Sequence, residues 1–381
     1  MKTILEGSQA IAEVVKRCQP AVISAYPITP QTHIVEHLAQ LKADGLAGYE
    51  YVRSESEFSA ASIVAGASAT GVRVYTATSS QGLLLMAEVL FNIAGMRLPV
   101  VMTCANRAVS APINIWNDQQ DAMTIRDSGW IMLFAVDNQE AIDLHLQAFK
   151  IAEQTKLPVM INVDGFILTH TMEPIDLPEQ KLIDKYLPKY VPAKGEYLDV
   201  DNPKTLGFLA GPAHYQGIRQ QLNDDITNSK KIITSEAKRF SQIFGRKQGN
   251  GLLSDYKLKD AEIVLVTMGS VAGTIEEAID EMRKEKIKVG LLKIKCFRPF
   301  PDEEIIKSLS KAKRIIVIDK SISLSTEGIL ATEIKRAGFG QSALGGKAKV
   351  QSVVTGLGGR DITKEMIKGV VKGDFKSFKF I

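Results

Sequence analysis

Ala21-Val22-Ile23-Ser24 is an apolar run, and Ala25-Tyr26-Pro27-Ile28-Thr29-Pro30 follows it directly. A short apolar segment that stops at a loop stiffened by two prolines reads as a strand and its exit. The same arrangement recurs three times. Ser54-Glu55-Ser56-Glu57 follows the strand-like Tyr49 to Arg53, Thr78-Ser79-Ser80-Gln81-Gly82 follows Val72 to Ala77, and Asn106-Arg107 follows Pro99 to Thr103. A helical pattern comes after each segment. Four strands alternating with helices predict a mostly parallel sheet. Open α/β sheets hold ligands outside the carboxyl ends of their strands. One crevice is therefore expected to collect Thr29, Glu57, Ser80 and Arg107.

The spacing predicts helices from Ser8 to about Arg17, from Gln31 to Lys42 and from Leu83 to Ala94. Phe58 to Gly71 is a helix built almost wholly of small residues, which lets its backbone lie close to a neighbour or ligand. An apolar strand at Val159 to Val163 precedes an irregular stretch from Phe166 to about Pro192. Gly211-Pro212-Ala213-His214 reads as a turn, Asp224 to Phe244 as a polar helix, and Gly245 to Lys257 as a linker. A second α/β unit then opens with the buried strand Glu262 to Gly269. Its further strands are Lys288 to Ile294, Arg314 to Asp319 and Lys349 to Val354, with helices between. The expected division is residues 1–245, a linker at 246–258, and a smaller α/β domain at 259–381.

The 381 residues suffice for two or three domains with ample core. A net charge of +4, dispersed along the chain, gives no reason to expect nucleic acid. No apolar run is long enough to span a bilayer, and Met1 to Gly7 lacks the apolar core of a signal peptide. The reading is a cytoplasmic protein without a membrane partner. Cys18, Cys104 and Cys296 lie far apart, so the chain carries no cysteine spacing suited to zinc or iron–sulfur clusters.

Several stretches together resemble the alpha subunits of the 2-oxoacid:ferredoxin oxidoreductases, and among them those of the pyruvate enzymes. They are Tyr26-Pro27-Ile28-Thr29-Pro30, Glu55-Ser56-Glu57, Ser80-Gln81-Gly82-Leu83-Leu84-Leu85-Met86, Gly95-Met96-Arg97-Leu98-Pro99 and the long run from Asn106 to Asp118. Asp164 to Thr171, Val266 to Ser270, Phe297-Arg298-Pro299-Phe300-Pro301 and Gly356-Leu357-Gly358-Gly359-Arg360-Asp361 also fit. The resemblance runs over nearly the whole chain. Phe58 departs from it, standing where His or a small residue is expected after the glutamate.

The resemblance implies a thiamine-diphosphate pyrimidine-binding domain followed by a smaller domain of the transketolase C-terminal type. It implies thiamine-dependent, coenzyme A-linked oxidative decarboxylation of a 2-oxoacid, or the reverse carboxylation. The sister enzymes for 2-oxoglutarate or branched-chain 2-oxoacids are the alternatives of the same class, and a non-catalytic scaffold with a vestigial pocket is the alternative of another class. The Gly-Asp-Gly signature that holds magnesium and the diphosphate is missing here. The resemblance places Mg2+ and [4Fe-4S] clusters on partner subunits, with beta, gamma and delta chains and ferredoxin completing the system.

Residue roles follow from the same match. Glu57 corresponds to the carboxyl that shares a proton with the thiamine pyrimidine and so promotes its activation; as a bare sequence feature it would be only a favourable charge at a helix start. Arg107 offers a planar fork to the substrate carboxylate, though most loop arginines are surface ion pairs. Thr29 offers a hydroxyl to the substrate, or merely forms a turn between prolines. Pro27, Ile28, Ser80 and Gln81 are assigned to the cofactor side, with loop shaping as the plainer role of Ser80 and Gln81. His33-Ile34-Val35-Glu36-His37 matches a short zinc-binding pattern of common residue types and is read as an exposed helix face, so no metal ligand is assigned. The glycine run Gly356 to Gly359 is read as a tight turn or a contact between chains.

Overall fold

Parallel strands buried on both faces need apolar side chains throughout, and Val101–Asn106 and Val159–Asp164 are buried at every position. They lie at the centre of a seven-stranded sheet in this computed structural model, which describes residues 2–340 and 349–381. The sheet order is Cys296–Arg298, Ile131–Phe134, Val159–Asp164, Val101–Asn106, Val74–Thr78, Val22–Ala25 and Glu50–Arg53. All pairings are parallel except that of Cys296–Arg298 with Ile131–Phe134. The four strands expected from the sequence are thus direct neighbours, and their carboxyl ends form one rim.

The small-residue helix is Glu57–Ala69. Ala60, Ala61, Val64 and Ala65 bury its inner face, and the Ser56 hydroxyl caps it by accepting from the Ser59 N–H at 3.2 Å. Ser8 does not cap the first helix, Gly7–Arg17; its hydroxyl donates to the Thr169 carbonyl instead. The helix expected from Leu83 is two, Ser80–Leu85 and Ala87–Gly95, joined at Met86. The long polar helix begins at Pro212 rather than Asp224 and runs to Phe244. A proline in the first turn is compatible with a helix start, so the Gly-Pro pair marks its entrance rather than a turn.

A six-stranded sheet follows, in the order Phe378–Phe380, Lys349–Val354, Arg314–Asp319, Ile263–Thr267, Val289–Ile294 and Leu253–Tyr256. Leu253–Tyr256 lies inside the stretch read as a linker and pairs antiparallel to Val289–Ile294. The short strand Cys296–Arg298 leaves this unit and pairs with Ile131–Phe134 of the first sheet. Lys2–Glu6 and Met172–Asp176 form a separate antiparallel pair. One apolar core joins residues of both sheets, including Val101, Ile161, Val266 and Ile315, while a second core around Ile275 and Ile279 fills the far face of the six-stranded sheet. Among the described residues no helix is long and apolar enough to cross a membrane.

Candidate active site

Two of the four strand-end segments, Thr78–Gly82 and Asn106-Arg107, are tied together by a carboxylate outside all four of them. Asp121 is fully buried on the short helix Gln120–Thr124. Its Oδ2 accepts the backbone N–H groups of Ser80 and Arg107, both at 3.0 Å, and its Oδ1 accepts from Asn106 Nδ2 at 3.0 Å and the Ala122 N–H at 2.7 Å. Two neighbouring loops are therefore fixed by one side chain. Burial pushes the Asp121 carboxyl up, and these four hydrogen bonds oppose the rise. The polar run Asn117 to Asp121 was the visible signal in the sequence; what it lacked was any sign of which acid turns inward.

Arg107 is 7% exposed. Its Nη1 donates to the Thr29 carbonyl at 2.9 Å and its Nε to the Asn114 carbonyl at 3.0 Å. Arg107 and Thr29 are thus brought together across the rim. Part of the guanidinium is spent on the scaffold, leaving Nη2 as the nitrogen with no backbone acceptor among the described residues. Burial lowers the Arg107 pKa from its ordinary value, and Asp121 opposes that. Thr29 is exposed, and its loop is held from below by Gln31. The Gln31 Nε2 donates to the Ala77 carbonyl at 2.6 Å, and its Oε1 accepts the Ile28 N–H at 3.2 Å.

Glu57 and Glu55 have opposite surroundings. Glu55 is exposed and accepts from the Ser59 hydroxyl, which holds its carboxyl below the usual range. Glu57 is 7% exposed, and burial raises it. Its carboxyl meets no side-chain donor among the described residues, its own backbone being the opposing influence. It lies over Gly82: a Cβ built there would stand 2.5 Å from Glu57 Oε1 and 2.6 Å from Thr78 Oγ1. The bare glycine leaves the space that the carboxyl occupies. The Ser54 and Thr78 hydroxyls are buried and meet no hydrogen-bond partner among the described residues. A raised, unpartnered carboxyl on a glycine cradle suits a ring nitrogen that arrives from outside and shares its proton.

The cofactor-side assignments divide. Pro27 lines an open groove of about 520 Å³ with Tyr26, Tyr51, Arg53 and Ser54. Ile28 is half-buried, its N–H fixed by Gln31. Ser80 has a left-handed backbone (φ 46°), and its hydroxyl donates within the chain to the Ala108 carbonyl and Gln81 Oε1. Ser80 and Gln81 therefore shape the turn that carries Gly82. Phe58, next in the chain, is 39% exposed. The glycine run is a left-handed turn packed inside the chain against Trp116 and Asn114.

The family profile described as "Pyruvate flavodoxin/ferredoxin oxidoreductase, thiamine diP-bdg" matches residues 13–238, and that of "Pyruvate:ferredoxin oxidoreductase core domain II" matches residues 261–367. The chain is 50% identical over 373 residues to pyruvate synthase subunit PorA of Methanosarcina barkeri, covering 97% of this chain and 91% of the relative. It is 45% identical over 365 residues to the PorA of Pyrococcus furiosus, covering 95% and 91%. It is 42% identical over 374 residues to ketoisovalerate oxidoreductase subunit VorA of Pyrococcus horikoshii, covering 98% and 93%. In fold it matches the 2-oxoglutarate:ferredoxin oxidoreductase of Magnetococcus marinus with a TM-score of 0.73 at 20% identity, spanning 97% of this chain and 65% of that one. With a profile matched over more than half its length and relatives this similar from end to end, the chain belongs to the pyruvate flavodoxin/ferredoxin oxidoreductase family, and its N-terminal part is that family's thiamine-diphosphate-binding domain.

Proposed function

We propose that this chain is the alpha-type subunit of a pyruvate:ferredoxin oxidoreductase and supplies the pyrimidine side of a thiamine site completed by a beta subunit. The observation that carries this is Glu57, a buried carboxyl raised by its burial, seated over Gly82 and lacking a side-chain partner among the described residues. When bound, thiamine diphosphate supplies carbanion stabilisation and an electron sink. Glu57 holds a proton at its carboxyl oxygen, facing the position of the pyrimidine nitrogen. Pro27, Ile28 and the Ser80-Gln81 turn frame that position. Arg107 Nη2 and the Thr29 hydroxyl bind and orient the 2-oxoacid on the same rim. Desolvation by the partner's surface strengthens each of these contacts.

In this reading residues 1–245 form the pyrimidine-binding part, 246–258 the connection and 259–381 the transketolase C-terminal-like part. Mg2+ and the [4Fe-4S] clusters belong to partner subunits, as do the gamma and delta functions. Coenzyme A and ferredoxin are co-substrate and electron acceptor, and the complex works in the cytoplasm. Relatives named for pyruvate reach 50% identity and those named for ketoisovalerate 42%, which favours pyruvate over a branched-chain 2-oxoacid.

The test is purification of the assembled complex and assay with pyruvate, 2-oxoisovalerate and 2-oxoglutarate. Pyruvate should give the highest kcat/KM; a clear preference for another acid would reassign the substrate. Glu57→Gln should keep thiamine bound and the complex assembled while activity falls about 10²–10⁴-fold, the usual worth of a positioned acid–base group. An unchanged rate in that variant would remove Glu57 from the chemistry.

A further inference from the structure

Three potential metal ligands from separate elements meet beside the Thr29–Pro30 loop. Glu6, His33 and His170 each present one ligand atom, and the three atoms lie within 4.8 Å of one another. Glu6 ends the strand Lys2–Glu6 and pairs across to Met172, two residues beyond His170. The Gly7 N–H donates to the Thr171 carbonyl at 3.1 Å and the Ser8 N–H to the Thr169 carbonyl at 2.9 Å, so the backbone itself holds Glu6 and His170 side by side. His33 sits in the first turn of the helix Thr32–Ala43. Its ring centroid is 4.5 Å from that of His170, and its Nδ1 is 2.7 Å from Glu6 Oε1. His37, its companion in the sequence pattern, points elsewhere and lies 3.6 Å from Glu13.

We propose that Glu6, His33 and His170 form a binding site for a divalent transition-metal ion of the zinc class. Two imidazoles and a carboxylate are a ligand set that Zn2+ takes with water in the fourth position. Tetrahedral ligands at about 2.0–2.1 Å from zinc stand roughly 3.3 Å apart, so the widest separation must close by up to about 1.5 Å while His33 Nδ1 and Glu6 Oε1, now 2.7 Å apart, must part slightly. His33 can supply that movement, since its side chain is 46% exposed. His170 is already oriented: its Nδ1 is 2.7 Å from the Thr169 hydroxyl, which in turn accepts the Phe166 N–H. With the Nδ1–H donating to that hydroxyl, the ring leaves Nε2 free for an ion.

The site is coupled to the rim by packing. Gly165, five residues before His170, lies so near Pro30 that a Cβ there would stand 2.6 Å from Pro30 Cγ. A bound ion would clamp the 165–170 turn to the start of the helix that leaves the Thr29–Pro30 loop.

The test uses the full chain, stripped of metal, titrated with Zn2+ against a chromophoric chelator and with Co2+ by visible absorption. One equivalent of zinc should bind, and Co2+ should give a tetrahedral d–d band without a thiolate charge-transfer band. His33→Ala and His170→Gln should each weaken zinc by at least about 10–100-fold, the loss seen even for outer partners of metal ligands. His37→Ala should bind as the parent does. Circular dichroism establishes that the variants are folded, and half-exposed His33 is the substitution the fold tolerates best. Failure of the parent to bind, or binding indifferent to His33→Ala, would overturn the proposal. So would loss of binding in His37→Ala with His170→Gln unaffected, which would assign the ion to the helix pair.

Discussion

Arg107 commits part of its guanidinium to the scaffold, and the proposed function gives the rest to the substrate. Two of its nitrogens hold the carbonyls of Thr29 and Asn114. This geometry uses the rigid fork of arginine, which a lysine cannot reproduce. Arg107→Ala should raise the KM for the 2-oxoacid about 10–100-fold, as expected for losing a charge-assisted contact of about 1.5–3 kcal/mol, with thiamine occupancy nearly unchanged. Steady-state kinetics of the reconstituted complex, with thiamine counted per complex, make the comparison. An unaltered KM would confine Arg107 to its role as a scaffold. Glu57 and Glu55 make the companion point. They are two residues apart, yet one is exposed and satisfied by Ser59 while the other is buried over Gly82. Environment rather than residue type separates their chemistry.

At the scale of elements, the Tyr26–Pro30 loop is pinned to the strand beside it. Gln31 is the pin for the Tyr26–Pro30 loop, and it is fully buried. Gln31→Leu keeps the bulk but strands the Ala77 carbonyl and the Ile28 N–H. An unmet buried group costs about 1–3 kcal/mol, so the urea midpoint should fall with the slope of the transition unchanged. A midpoint equal to the parent's would mean that water replaces the side chain. Much of this level was legible in the sequence. Three of the four rim strands announce themselves because a buried parallel strand is an apolar run closed by proline or polar residues, whereas Glu50–Arg53 is a mostly exposed edge strand legible through the polar segment and helix that follow it. Other edge elements do not. Leu253–Tyr256, Cys296–Arg298 and the Lys2–Glu6 pair are short or partly polar, and they are strands only because a partner lies alongside. Ile131–Phe134 and the helix Asn138–Thr155 were also passed over, although both are largely buried. Asp121 escaped for a related reason: its meaning lies in donors from two other segments, Ser80 and Asn106-Arg107, which no local pattern encodes.

At the scale of the whole molecule, the two units are joined through buried charge. Asp164, at the end of a first-sheet strand, accepts from the Ser270 N–H at 2.9 Å and hydroxyl at 2.6 Å, and from Lys320 Nζ at 3.1 Å. Lys320 also reaches Asn117. Burial pushes the Asp164 carboxyl up, but the Lys320 ammonium and Ser270 outweigh it and leave it below the usual range. Lys320→Met should therefore destabilise the chain by about 3–5 kcal/mol, because it leaves an unpaired buried anion. Adding Asp164→Leu should recover part of that loss, since removing both charges avoids the stranded one. Denaturant titration of the parent, single and double variants decides it; equal stability of parent and Lys320→Met would show that solvent reaches the pair.

The strand Cys296–Arg298 closes the far edge of the first sheet, although it lies beyond the point where the second family profile begins. Descent along the chain and membership in the sheet thus disagree. A recombination event near residue 258 would hand the newcomer a first half that ends on Ile131–Phe134, four fully buried residues turned into an open edge. Such edges recruit foreign strands. The halves of this protein can be exchanged between lineages only if the incoming second half brings a segment that fits the recipient's first sheet, so they are constrained to evolve as a single heritable block.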